Sequence, residues 1–173
     1  MVELYQGKVY NTALGLLQDS GLAEDITQEV FVKVYTSVLS FNEQSSLSTW
    51  IYRITVNKCL DYLRSQNRQK RQGIFTSLFQ KDSGEPINDA VDFIHPGIKL
   101  DQKENAKYLF QAIKSLPENQ KTAFILVHIE ELPQKEIAEI MNLSLKAVES
   151  LLQRAKENLR KKLDPIYERR KKL

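Results

Sequence analysis

Arg53, Asn57, Asp61 and Arg64 recur at spacings of four, four and three, so a helix would carry them along a single face. Trp50 and Tyr52 open that stretch, and the polar loop before it, residues 42–49, contains Ser45 and Ser46. Rings, amides and cations in such company hold unstacked bases, because every base offers a π face and hydrogen-bonding edges. Taken singly, Trp50 reads first as a core residue, and Cys59 as a small buried hydrophobe.

A second set is Asp25, Gln28, Glu29 and Val32, sharing one helix face opposite the apolar run Ile26, Val30, Phe31, Val34, Tyr35 and Val38. The carboxylates of Asp25 and Glu29 stand one turn apart, which raises the question of a metal pair. The chain's two histidines, His95 and His128, lie far off and neither sits in a Glu-x-x-His arrangement. A solvated acidic face is the plainer reading, and no metal is expected.

The third set follows Leu132. Pro133 suits a first helical turn, Ile137, Ala138 and Ile140 give a short helix a narrow apolar face, and residues 142–144 form a tight connector. Ser144 is a good N-cap for a second helix that buries Val148, Leu151, Leu152 and Ala155. Lys146, Glu149, Ser150, Gln153 and Arg154 then fall on its outer face. A short helix, a three-residue turn and a helix with a polar, cation-bearing face is the helix-turn-helix design, whose side chains reach base edges and phosphates in a major groove. A helical hairpin with an ordinary wet face is the bland alternative.

The elements that must position these sets read as helices throughout, with no strand-like alternation of useful length. Ser20-Gly21 separates the first two apolar runs, and Ser48 and Thr49 are plausible caps for the helix carrying Trp50, Ile51, Ile54, Leu60 and Leu63. Between Ser65 and Lys99 the period fades and three of the six glycines and two of the five prolines gather, as in an interdomain linker with a short helix at its start. Helical order returns near Leu100, with the stripe Tyr108, Leu109, Ala112, Ile113 and Leu116 stopped by Pro117. The expected fold class is all-α: two small helical domains, residues 1–66 and 100–173, joined by a flexible linker over 67–99.

Composition narrows the function. The chain has 173 residues, 42% hydrophobic, enough apolar content for a core, and no run approaches the ~20 apolar residues of a membrane span. Its start lacks a basic region followed by an apolar run, so it does not read as a secretory signal. A single cysteine excludes an internal disulfide framework and points to a reduced, cytoplasmic setting. Net charge is −2 up to Arg64 and +5 from Ala106 onward, and the basic end favours a polyanionic partner. No phosphate-cradling glycine loop, nucleophile elbow or His-Glu metal motif occurs, so neither catalysis nor a cofactor is expected.

Together, Glu24-Asp-Ile-Thr-Gln-Glu-Val-Phe, Ser48-Thr-Trp-Ile-Tyr-Arg-Ile-Thr-Val-Asn and Leu116-Pro-Glu-Asn-Gln resemble the bacterial sigma factors of the extracytoplasmic-function group. The likeness covers nearly the whole chain, with Leu4–Arg64 similar to the group's region two and Leu109–Leu163 to its region four. It implies a factor that binds core RNA polymerase and directs it to promoter DNA. Asp25, Gln28, Glu29 and Val32 would then dock on the clamp helices of the polymerase's largest subunit. The loop with Ser45 and Ser46 and the face of Arg53, Asn57 and Arg64 would open the minus-ten element and hold an extruded base. Lys146, Glu149, Ser150, Gln153 and Arg154, on the helix Leu145–Lys161, would read the minus-thirty-five element as duplex. An unregulated factor would compete constantly for polymerase, so an anti-sigma partner is expected to cover the docking surfaces. Pro133 stands where a serine or threonine cap is usual, and Glu149 and Leu151 where many members are basic. The rival reading is a conventional helix-turn-helix regulator with an N-terminal helical sensor domain.

Overall fold

A computed structural model describes residues 2–41, 44–79 and 103–170, with side chains throughout except at 71–79, 103–105 and 166–170. It is all-helical among those residues: α1 (Val2–Leu17), α2 (Ser20–Ser37), α3 (Leu47–Phe79), α4 (Lys103–Lys114), α5 (Glu118–His128), α6 (Gln134–Met141) and α7 (Leu145–Arg170), with one 3-10 turn at Val38–Ser40. α3 runs 33 residues, well into the stretch read as the start of a linker, and the rest of that linker, from residue 80, lies outside the described residues.

The first corner sits at Gln18-Asp19, just before the Ser20-Gly21 turn expected from sequence. Gln18 takes a left-handed conformation, φ 54°. Asp19 is extended and its carboxylate accepts the Leu22 N–H at 2.9 Å, so Ser20 and Gly21 become the first turn of α2. At α3 the cap is Ser46, whose Oγ accepts the Thr49 N–H at 3.0 Å, instead of Ser48 or Thr49. Thr49 is buried, and its hydroxyl points elsewhere. In the second half, Pro133 precedes α6 as its N-cap residue, Asn142 turns the chain in left-handed conformation, and Ser144 Oγ accepts the Ala147 N–H at 3.2 Å, capping α7 as expected.

Val9, Ala13, Leu14 and Leu16 of α1, Ala23, Ile26, Val30 and Val34 of α2, and Ile51, Val56, Cys59 and Leu60 of α3 interdigitate in the first half. Phe110 and Ile113 of α4, Ile125 and Leu126 of α5, Ile137 and Ile140 of α6, and Val148, Leu152, Ala155 and Leu159 of α7 fill the second. Phe110, absent from the expected stripe, is among the largest fully buried side chains. The two sets form one continuous apolar cluster, because α5 and α6 lie against α1 and α3. Gly15 makes that approach possible: a methyl there would meet Ile125 Cγ2 at 3.1 Å. The apolar run of α2 outlasts the core, leaving Tyr35 81% exposed, and Leu39 in the 3-10 turn that follows is 99% exposed.

Candidate functional site

Three surfaces carry the polar residues singled out in the sequence. On α2, the buried Ile26, Val30 and Val34 turn Asp25, Gln28, Glu29 and Val32 outward, and all four are exposed. With Lys33, Thr36 and Lys58 they line a shallow depression between α2 and α3. Glu29 Oε2 meets Lys58 Nζ at 2.8 Å, a solvent-facing pair that contributes little to stability and is free to exchange partners. No group of three or more His, Cys, Asp or Glu side chains comes close enough to hold a metal among the described residues.

The polar row of α3 is divided. Asn57 is exposed, whereas Arg53 is half-buried and its Nη2 donates to the Glu139 carbonyl at 3.0 Å. That carbonyl belongs to the last turn of α6, the negative end of a helix, which suits a guanidinium. Arg64 lies 3.6 Å from Asp61 on its own helix and 3.7 Å from Glu118 at the start of α5. Ser45 is half-buried; Ser46 is exposed, but its hydroxyl is engaged as the α3 cap and with Thr49 Oγ1 at 2.7 Å. Asn42 and Glu43 of the same loop lie outside the described residues. Trp50 is half-buried against the core, with the Phe41 ring 5.1 Å away.

Tyr52 proves to be a core residue. It is 2% exposed and its O–H donates to Glu130 Oε2 at 2.9 Å. Burial, then the adjacent Glu130 charge, push its phenol well above the ordinary 10. Burial likewise raises the Glu130 carboxyl, opposed by hydrogen bonds from Tyr52 and Thr12 and by the Lys8 charge. One helical step away, Thr49 Oγ1 donates to Glu136 Oε1 at 3.0 Å. Sequence reading missed Glu118, Glu130 and Glu136, because their partners on α3 are many tens of residues distant and no local spacing marks them. Cys59 is fully buried, and desolvation pushes its thiol up to about 12, as befits an inert packing residue.

The third surface is the first half of α7. Val148, Leu152 and Ala155 are buried, so Lys146, Glu149, Gln153 and Arg154 face solvent, with Ser150 half-buried beside them. Leu151 is half-buried and packs against the core. Arg154 Nη2 donates to Ser150 Oγ at 2.9 Å and Gln153 Nε2 to Glu157 Oε1 at 3.2 Å. These exposed bonds cost little to exchange for bonds to a ligand. No helix among the described residues is long and apolar enough to cross a membrane.

Comparison with known proteins agrees with this geometry. The family model for sigma-70 region 2 matches residues 1–69, and that for sigma-70 region 4 matches residues 106–159. The chain is 34% identical over 168 residues to the ECF RNA polymerase sigma-E factor of Haemophilus influenzae, covering 96% of this chain and 87% of that one. It is 30% identical over 165 residues to the ECF RNA polymerase sigma factor SigW of Bacillus subtilis, covering 94% and 87%. Among solved structures, the sigma factor RpoE of Bartonella quintana, in complex with the anti-sigma factor NepR, shares the fold. The TM-score is 0.67 at 21% identity, over 94% of both chains. CnrH, solved in complex with the cytosolic domain of CnrY, gives 0.65 at 20% identity over 95% of this chain and 85% of that one.

Proposed function

Because the chain belongs to the extracytoplasmic-function group of sigma-70 factors and directs RNA polymerase to promoters, we propose a division of that work among its three polar surfaces. The α2 face of Asp25, Gln28, Glu29 and Val32 docks on the clamp helices of the polymerase's largest subunit. Its exposure above a fully buried stripe supports this, since the one bond the face makes among the described residues, Glu29 to Lys58, is solvent-facing and readily exchanged. The loop with Ser45 and Ser46 and the face of Arg53, Asn57 and Arg64 holds the separated strand of the minus-ten element. Lys146, Glu149, Ser150, Gln153 and Arg154 read the minus-thirty-five element as duplex. Residues 1–66 and 100–173 act as the two working units, and 67–99 links them.

The outward row on α7 carries the proposal furthest. A helix that buries one side completely and presents two cations, an amide, a carboxylate and a hydroxyl on the other can enter a major groove without refolding. Glu149 in that row suits a cytosine amino group, which donates where an arginine-reading guanine accepts. The chain makes and breaks no bond in this reading; binding and strand separation are its whole task. It works in the cytoplasm, beside the polymerase. Since RpoE was solved with the anti-sigma factor NepR bound, and CnrH with the cytosolic domain of CnrY, we extend the expectation here to an anti-sigma partner that occupies the docking surfaces.

Selection of DNA fragments by polymerase holoenzyme reconstituted with this chain tests the assignment. A two-part promoter sequence enriched only when polymerase is present is the expected result. Palindromic duplex sites bound by the chain alone would instead support a conventional helix-turn-helix regulator.

A further inference from the structure

Two leucines interrupt the polar surface of the helix-turn-helix. Leu143 and Leu145, on either side of the capping Ser144, are 37% and 38% exposed, and no other large apolar side chain of the second half is exposed among the described residues. Leu143 has a local task. It follows the left-handed Asn142 and its N–H donates to the Ala138 carbonyl at 2.9 Å, closing the turn that ends α6, a position that favours an apolar residue. Leu145 has no such task. It is the first residue of α7, Ser144 already supplies the cap, and the buried stripe of the helix starts only at Val148.

Its place on the helix gives it a partner instead. At about 3.6 residues per turn, Leu145 lies about 40° around α7 from Glu149 and about 6 Å ahead of it along the axis, beside the outward polar row. The first turn of a recognition helix is the part that meets base edges. The one apolar group that base pairs present in the major groove is the C5-methyl of thymine.

We propose that Leu145 is a specificity-determining residue that packs on a thymine methyl in the minus-thirty-five element. The proposal rests on the reading of the α7 row given above and adds a spacing to it. An axial separation of about 6 Å is just under two base steps of about 3.4 Å, so the thymine lies within two steps of the cytosine assigned to Glu149. The element is then read by an apolar contact at the entry to α7 and by polar contacts further along.

Deoxyuridine lacks only that methyl and pairs identically, so it tests the contact in the holoenzyme. The upstream duplex enriched by holoenzyme selection is resynthesised with each thymine replaced singly. Parent holoenzyme should bind one of these duplexes about fourfold more weakly, the scale of one methyl left in water. Leu145→Ala holoenzyme should bind that duplex and its thymine form equally, whereas Leu143→Ala should keep the discrimination. Both leucines are exposed, so neither change empties the core. An enriched element without thymine, a parent indifferent to every methyl, or equal discrimination by parent and Leu145→Ala would overturn the contact. Gln153→Ala separates the two layers of the argument. If it relaxes preference at one upstream position while the uracil scan is flat, the α7 row reads DNA and Leu145 takes no part. If neither it nor Lys146→Ala alters any preference, the row is misassigned and the leucine contact falls with it.

Discussion

At the scale of single residues, Gln153, Arg154 and Asn57 should fail differently when truncated. Gln153→Ala should relax preference at one upstream position, since a good base contact is worth about 1–3 kcal/mol of discrimination. Arg154→Ala should weaken all sequences alike and flatten the salt dependence, as loss of a phosphate contact does. Asn57→Ala should spare upstream duplex binding but impair open-complex formation, seen as reduced permanganate reactivity of thymines near the start site. Normal melting would contradict its role; Ser46 is a poorer probe because its hydroxyl also caps α3. Tyr52 offers a different readout. Its phenol is raised in the folded chain, so the stability tied to it is complete below the ordinary 10 and is lost as alkali ionises it. Absorbance at 295 nm should show one of the seven tyrosines titrating only as the fold opens. The α7 row was legible beforehand because a buried stripe left those side chains nowhere else to point. Tyr52 was not: the Glu130 that receives its hydroxyl lies 78 residues away.

At the scale of elements, α2 makes the sharpest demand. Asp25→Lys/Glu29→Lys should weaken holoenzyme assembly in a pull-down with core polymerase by about tenfold or more, the scale at which close like charges count. Helix content should hold, because both side chains are exposed and Glu29's bond to Lys58 faces solvent. Undiminished assembly would place docking elsewhere. Helices and their buried faces were readable from apolar spacing, but their starts were less so. Ser45, Ser46, Ser48 and Thr49 crowd the entry to α3, and any of them has the hydroxyl a cap requires. The choice was made by tertiary structure, which turns Thr49 inward toward Glu136 and leaves Ser46 to cap. Asp19 displaced Ser20-Gly21 for a local reason: its carboxylate caps the helix through the Leu22 N–H, which takes both residues into the first turn of α2. Ser144, with no competitor between Asn142 and the next apolar run, was identified correctly.

At the scale of the whole molecule, the two halves were legible as separate units and their mutual packing was not. Separation leaves a compositional trace, as the glycines and prolines after Ser65 do. A seam leaves none, since it is made of single residues on four helices and the turn after α5, each unremarkable in its own neighbourhood. Gly15 is the plainest of them. In the middle of α1, glycine is about 1 kcal/mol poorer than alanine as a helix former, in any arrangement of the halves. Ile125, fully buried and stiff at its branched carbon, leaves a methyl at that position too little room only when the halves are shut. Gly15→Ala should therefore firm the helix and lengthen the distance between spin labels at Gln6→Cys on α1 and Gln134→Cys on α6 together, at high salt as at low, because no charge is involved. An unchanged distance would mean that Ile125 simply yields. Helix strength forgone in every state so that one state can exist is an uncommon bargain. The response to one added methyl measures how much of this chain's restraint is shape and how much is charge.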